Sequence, residues 1–309
     1  MWIIKKNIIY EFFFKKEDYT TIGLLRILTA AVILLSLIND LPFVVDYYSD
    51  DGVLSGRTSM FRSEFRFTIL DYFGSPTFVI IFYFLLIIFL LLLLIGKYTR
   101  FSAIIAFILL SSLHEKNTLI LNSGDTLMRL MLFYLAISPS GKCLSLDAIK
   151  RNKNIPSKEH KKRQQWYIWP RRLIQIQLAI VYIFAFLPKT GTTWRDGTAV
   201  YYFLANPQFA RFNLEFLGNY IFLVMLMTYA TLLIELLFPI LVWFKTTRKY
   251  MLIAGILLHS SILFASNITF FSLIMIVAHL AFIEPETINR KLAQLKIKLK
   301  TINPFTTKK

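Results

Sequence analysis

The sequence predicts an all-α, polytopic integral membrane bundle of about eight spans, with both termini in the cytoplasm. Three observations carry that reading. Apolar residues make up 56% of the 309 positions, above the roughly 45–50% of ordinary soluble domains. They fall in eight runs, several of them close to the ~20 residues that cross a hydrocarbon core of ~30 Å. Finally, 26 of the 35 Lys and Arg residues lie in alternate connections between those runs, the asymmetry expected when basic loops stay on the cytoplasmic side.

Taken in order, the predicted spans are Ile22–Ile38, Thr77–Ile95, Phe101–Leu113, Leu119–Ile137, Leu173–Leu187, Asn219–Phe244, Met251–Ala265 and Phe270–Ile283. The shorter ones must extend into their flanks. The third and fourth are joined by a short polar stretch around His114-Glu115-Lys116, as in a tight hairpin. The chain therefore divides into an N-terminal segment 1–19, a transmembrane domain 20–285 and a basic cytoplasmic tail 286–309. A basic cytoplasmic loop at 140–172 and external loops at 41–76 and 188–218 belong to the domain. The external connections hold only Arg57, Arg62, Arg66, Lys116, Lys189, Arg195 and Arg211, while Arg26 and Arg129 lie within spans.

In the N-terminal segment, Trp2, Ile3, Ile4, Ile8, Ile9, Phe12 and Phe13 are read as one apolar face, with Lys5, Lys6, Lys15 and Lys16 elsewhere. That predicts an amphipathic helix on the inner leaflet. Lys5, Lys6 and Glu11 interrupt the apolar stretch, which does not fit a secretory signal. The run Lys158-Glu159-His160-Lys161-Lys162-Arg163 suits either anionic headgroups or a solvated topogenic loop. A net charge of +17 would suggest nucleic acid in a soluble protein. Here topology accounts for it, and no nucleic-acid partner is expected. A single Cys143 excludes an intrachain disulfide and a cysteine metal site.

Ionisable groups at membrane depth are costly, so each is a functional candidate. Asp125 and Arg129 are four residues apart and can pair along one helix. Leu121-Asn122-Ser123-Gly124 places turn-forming residues at the outer end of that span, where free helix N–H groups could receive an anion or carbonyl. Glu235 lies mid-span, with Pro239 four residues later freeing backbone carbonyls beside it. His259 and His279 lie in the last two spans, either as hydrogen-bonded packing groups or as cavity lining. Nothing in the spacing of these His and Glu residues supports a metal site, and none is expected. Pro188 ends the fifth span and leaves Lys189 near the membrane boundary. There it either snorkels to the interface or is tucked under Trp194 and Tyr201, where desolvation suits a general base. No matched pair of broken helices marks the chain as a transporter.

Four stretches resemble the HTTM family, bacterial transmembrane proteins related to vitamin K-dependent γ-glutamyl carboxylase. They are Leu24-Leu25-Arg26; Phe43 through Leu54, centred on Tyr47-Tyr48-Ser49-Asp50-Asp51-Gly52-Val53-Leu54; Leu121-Asn122-Ser123-Gly124-Asp125 with Arg129; and Pro188 through Tyr202, including Trp194-Arg195-Asp196-Gly197-Thr198. Glu235, Pro239 and His259 also fall at family-like positions. The resemblance implies a multi-pass protein of the bacterial cytoplasmic membrane and a menaquinone- or vitamin K-type quinol as cofactor. It further implies Lys189 as the base at the quinol, with His259 and Glu235 in the catalytic set. Asn122, Asp125, Arg129, Trp194, Arg195, Asp196, Tyr201, Asp50 and Asp51 would contact substrate. The carboxylase carries an Asn-His pair where this chain reads Asn122-Ser123, and no lumenal substrate domain follows the last span. These departures argue against carboxylation of a protein substrate and leave a quinol half-reaction, or another reaction in the same cavity. A second kind of relative, the B component of sporulation-delaying-protein toxin systems, implies instead a non-catalytic factor for maturation or export of a secreted peptide. Either reading takes the bilayer as the first partner and allows an accessory membrane protein.

Overall fold

The computed structural model describes residues 2–53, 67–153 and 165–302, with side chains over 8–53, 67–153 and 165–295. Arg57, Arg62, Arg66 and the Lys158–Arg163 run lie outside the described residues. Among the described residues the regular structure is helical, apart from one two-stranded ribbon. Helix α1 covers Trp2–Phe14, α2 Thr20–Asp40, α3 Val44–Tyr48, α4 Pro76–Ile95, α5 Thr99–Lys116, α6 Ser123–Ile137 and α7 Leu146–Asn152. They are followed by α8 (Trp169–Phe186), α9 (Thr192–Arg195), α10 (Ala199–Ala205), α11 (Ile221–Leu241), α12 (Lys245–Ala265), α13 (Thr269–His279) and α14 (Pro285–Ile302).

Each of the eight apolar runs corresponds to a helix. Among the described residues, four segments are long and apolar enough to cross a membrane: Thr20–Tyr48, α4, α11 and α12. Counting the stretch Thr269–Phe282 with Pro285–Leu295 gives five, although that pair bends by 108°. The others fall short for visible reasons. Helix α6 has only 15 residues, α5 ends in His114, Glu115 and Lys116, and α8 opens on Arg171 and Arg172. The polar stretch expected between the third and fourth spans is thus the last turn of α5, with His114 and Lys116 buried.

Local sequence sets the helix ends. Ser75 caps α4 by accepting from Phe78 N, and Gly96 closes it in the left-handed region at φ 71°. The fully buried Arg26 of α2 reaches that same end and donates to the carbonyls of Leu93, Leu94 and Leu144. A guanidinium satisfies orphan carbonyls at a helix C-terminus and complements its partial negative charge. Asp147 of α7 does the converse for α5, accepting from Tyr98 N at 3.0 Å, Thr99 N at 2.8 Å and Thr99 Oγ1 at 2.7 Å. Burial pushes this carboxyl up, but the Thr99 and Tyr98 hydrogen bonds outweigh it and hold it below the ordinary aspartate value.

Helix α13 is central and packs on α2, α6, α8 and α12. One side of the bundle is α2, α4, α5 and α6, joined in that order, and Leu86, Leu90, Leu110, Met131 and Leu135 are buried there. On the other side α8 packs on α11 and α11 on α12. Most of the α12 side chains are half-buried or exposed; only Gly255 and His259 are buried. Strand β1 (Lys16–Asp18) pairs antiparallel with β2 (Gln165–Tyr167), a ribbon absent from the sequence reading. It brings Glu17 onto Arg171, whose guanidinium also donates to Ala281 O at 3.0 Å. The side chains of Trp2, Ile3, Ile4, Lys5 and Lys6, which the expected apolar face of α1 turns on, lie outside the described ones. Phe12 packs on Trp243 and Arg172, while Ile8, Ile9 and Phe14 are exposed around the helix.

Candidate functional site

Pro188 breaks the chain after α8, and the turn that follows carries Lys189 back against the body of α11. Its ammonium lies between both carboxylate oxygens of Glu235. The Trp194 ring of α9 covers it, with Nζ 4.7 Å from the centroid, within cation–π range. The side chains are 19% and 9% exposed. Snorkelling would extend the lysine stem toward water; here it turns inward.

Glu235 lies close enough to Tyr182 of α8 for electrostatic interaction. Tyr182 joins two histidines on two further helices: its Oη lies 3.0 Å from His259 Nε2 and 3.0 Å from His279 Nε2. Phe238 of α11 stacks on the Tyr182 ring at 4.1 Å, and Phe271 of α13 meets His259 edge-on at 5.5 Å. The proton positions follow from donor and acceptor chemistry. His279 Nδ1 lies 2.6 Å from Met275 O, and a carbonyl can only accept, so Nδ1 carries the proton. A neutral ring then leaves Nε2 bare, and Tyr182 must donate to it. The Tyr182 oxygen is free to accept from His259 Nε2–H. What remains is a bare His259 Nδ1, and that atom is buried without a partner. Gly255, one turn before His259, makes the cluster possible: a Cβ there would collide with His279 Nε2 and lie 2.9 Å from Tyr182 Oη.

The HTTM-domain family model matches residues 14–286, which takes in every helix of this site. The chain belongs to the HTTM family. It is a membrane protein related to the vitamin K-dependent carboxylases. Comparison with curated proteins and with solved structures finds no match.

In this HTTM chain the predicted site residues divide into several groups. Lys189, Glu235 and Trp194 come together, and His259 joins them through Tyr182. Asn122 instead caps α6: its Oδ1 accepts from Gly124 N at 2.7 Å, and Asp125 Oδ2 accepts from Asn122 N at 2.7 Å. This corrects the expectation of an open helix end. Gly124 N is met by the Asn122 side chain and Asp125 N by the Asn122 carbonyl at 3.1 Å, and Asp125 already places negative charge there. The Asp125–Arg129 pair is also corrected, since Arg129 donates to Glu115 of α5. Across the helix interface Glu115 faces the guanidinium directly, whereas Asp125 is engaged at the helix start. Asp50 pairs with Lys116 at 2.6 Å, and Asp51 is exposed. Arg195 is exposed and its carbonyl accepts from Tyr229 Oη at 2.8 Å. Asp196 accepts from Thr198 N and Oγ1 at 3.1 and 2.6 Å. Tyr201 packs with Leu204, Leu217 and Val224 in a separate apolar cluster, not over Lys189.

Sequence reasoning passed over Tyr182, which reads as one more aromatic in an apolar span, and Gly255, which reads as a weak helix former. Among the described residues, no group of three or more His, Cys, Asp or Glu is placed to hold a metal ion.

Proposed function

We propose that this HTTM protein is a multi-pass protein of the bacterial cytoplasmic membrane that moves a proton at the head of a lipophilic quinol, with Lys189 as the base. Helices α2, α4, α5, α6, α8, α11, α12 and α13 are the crossing elements, with both termini inside. The one-sided distribution of Lys and Arg supports that orientation. The observation that carries the chemical reading is the withdrawal of Lys189 from the interface onto Glu235 beneath Trp194. An ammonium is no base, but a carboxylate in contact with it can take its proton. In a water-poor setting the neutral amine and acid approach the ion pair in energy, because both charges vanish together. Lys189 Nζ then has a lone pair directed at the Trp194-covered side.

A reduced quinone would supply an acidic phenolic hydroxyl. The residues present fit such a group: His259 Nδ1 is a buried acceptor without a donor, and Trp194, Phe238 and Phe271 give the surroundings aromatic walls. Glu235 holds the proton released by Lys189, and Trp194 limits water. Nothing in this set resembles a platform for a protein substrate, so the reading stops at the quinol.

The test is purification in mild detergent followed by lipid extraction and mass spectrometry. Wild type is compared with Lys189→Ala and with Lys189→Met/Glu235→Gln, which removes the reactive pair without leaving a lone charge. A co-purifying menaquinone-like species in wild type, lost in folded variants, is the expected result. Its absence from all samples would refute the quinol site. Tolerance of both variants, with dependence on the 188–218 surface, would favour maturation of a secreted peptide instead.

A further inference from the structure

A second polar site lies where the C-termini of α2 and α5 meet the start of α6, using residues that the proton-transfer reading does not. A cleft of about 30 Å³ is lined by Asp40, Tyr48, His114 and Asp125, with apolar walls from Ile33 and Met128. That is room for one or two water-sized groups. Its charge is unbalanced. Among the described residues no Lys or Arg donates to Asp40 or Asp125: Asp40 accepts only from Asn39 Nδ2 at 3.0 Å, and Asp125 completes the α6 cap, with Arg129 acting on it only at longer range. The two carboxylates are close enough to repel each other. Arg129 is the nearby cation, but its guanidinium donates to Glu115, and Lys116 is held by Asp50.

The second observation is His114. It is 5% exposed, it lines the cleft, and its Nδ1 is buried with no partner. Two carboxylates and an unpartnered imidazole nitrogen, with the Ser36 and Tyr48 hydroxyls able to accept as well, make the cleft rich in acceptors, which suits a compact group with several donors. A primary ammonium has three N–H donors and no acceptor; a planar guanidinium is too large for this volume. The chain beside the cleft is apolar and exposed at Ile38, Leu41, Phe43, Leu119 and Ile120, so the occupant's remainder is apolar as well.

We propose that this cleft binds the primary ammonium of a lipid headgroup of the phosphatidylethanolamine class, the acyl chains lying along the exposed apolar residues of α2 and the 117–122 connection. Asp40, Asp125 and His114 accept the three N–H bonds, and Tyr48 walls the cation.

The test uses the full chain in nanodiscs whose headgroups run from ethanolamine through N-methyl- and N,N-dimethylethanolamine to choline. Lipid bound to the protein is quantified by native mass spectrometry. The wild type should enrich ethanolamine over choline lipid by about tenfold, the worth of one or more charge-assisted hydrogen bonds, with enrichment falling as N–H donors are lost. Asp40→Asn should bring the ratio near parity, whereas Asp51→Asn at an exposed carboxylate should leave it unchanged. A flat series in wild type would overturn the proposal without reference to any variant's folding. So would stabilisation by methylammonium in lipid-free detergent with no ethanolamine-lipid enrichment, which would make the ligand a free amine.

Discussion

Gly255→Ala tests the buried Tyr182–His259–His279 cluster directly. On an exposed helix face this change would stabilise, by up to about 1 kcal/mol, because alanine is the better helix former. Here the new methyl would collide with His279 Nε2 and lie 2.9 Å from Tyr182 Oη. Overpacking of this kind costs about 1–3 kcal/mol. If the clash is relieved by parting Tyr182 from His279, a buried donor and acceptor lose each other, costing about 1–3 kcal/mol. Both costs together, less a helical gain of about 1 kcal/mol, give a destabilisation by Gly255→Ala of about 1–5 kcal/mol. The assay is the thermal or denaturant midpoint of the detergent-solubilised protein. Tyr182→Phe removes the hydroxyl that the methyl strikes, so it should cost about 1 kcal/mol less in the Gly255→Ala background than in wild type. A wild-type midpoint for Gly255→Ala, or strict additivity of the two changes, would refute the assigned packing and the proton order that rests on it.

Four other outcomes follow from the structure. Lys189→Met leaves Glu235 buried without its cation and should cost about 3–5 kcal/mol, with Lys189→Met/Glu235→Gln recovering much of the loss; unequal midpoints in that order check it. Arg26→Ala strips the donors from the carbonyls at the end of α4 and should cost about 2–4 kcal/mol, read as a lowered thermal midpoint. Asp147 is held below its unfolded value of 3.8, so its contribution is full above that pH and is lost as pH falls through the lower folded value. The stability gap between wild type and Asp147→Asn should therefore be constant near neutrality and narrow in acid, whereas a gap that widens in acid would contradict the sign. Nitrogen-15 spectra of labelled histidines should show His279 protonated at Nδ1 and His259 at Nε2; the same tautomer on both rings would break the hydrogen-bond order.

The apolar runs placed the helices well, because a helix in lipid must satisfy its backbone internally and its length is written in the run. The misses come from competition at helix ends. Leu119 to Asn122 continue the apolar run yet stay outside α6, since Asn122 and Asp125 form a capping box that fixes the start at Ser123. Arg129 was assigned to the carboxylate nearest in sequence, but helix packing brought Glu115 across the interface. The Lys189–Glu235 contact was not legible, because each residue was singled out separately and nothing in the sequence joins positions 46 apart. Tyr182 and Gly255 carried no signal in one sequence; their roles exist only where three helices meet.

The two halves of the bundle differ in how they are held, and the site lies at their junction. In the apolar windows, 67% of residues are buried for the Thr20–Tyr48 segment, against 22% for α11 and 11% for α12. Lipid supplies little drive for helix association, so packing and interhelical hydrogen bonds must provide it. The two buried residues of α12 are Gly255 and His259, one turn apart, and both belong to the Tyr182 cluster. The polar cluster is therefore a fixture that ties α12 to α8 and α13, beside its packing on α11 and α13. A bare imidazole nitrogen at that fixture couples the position of α12 to whatever donor reaches His259.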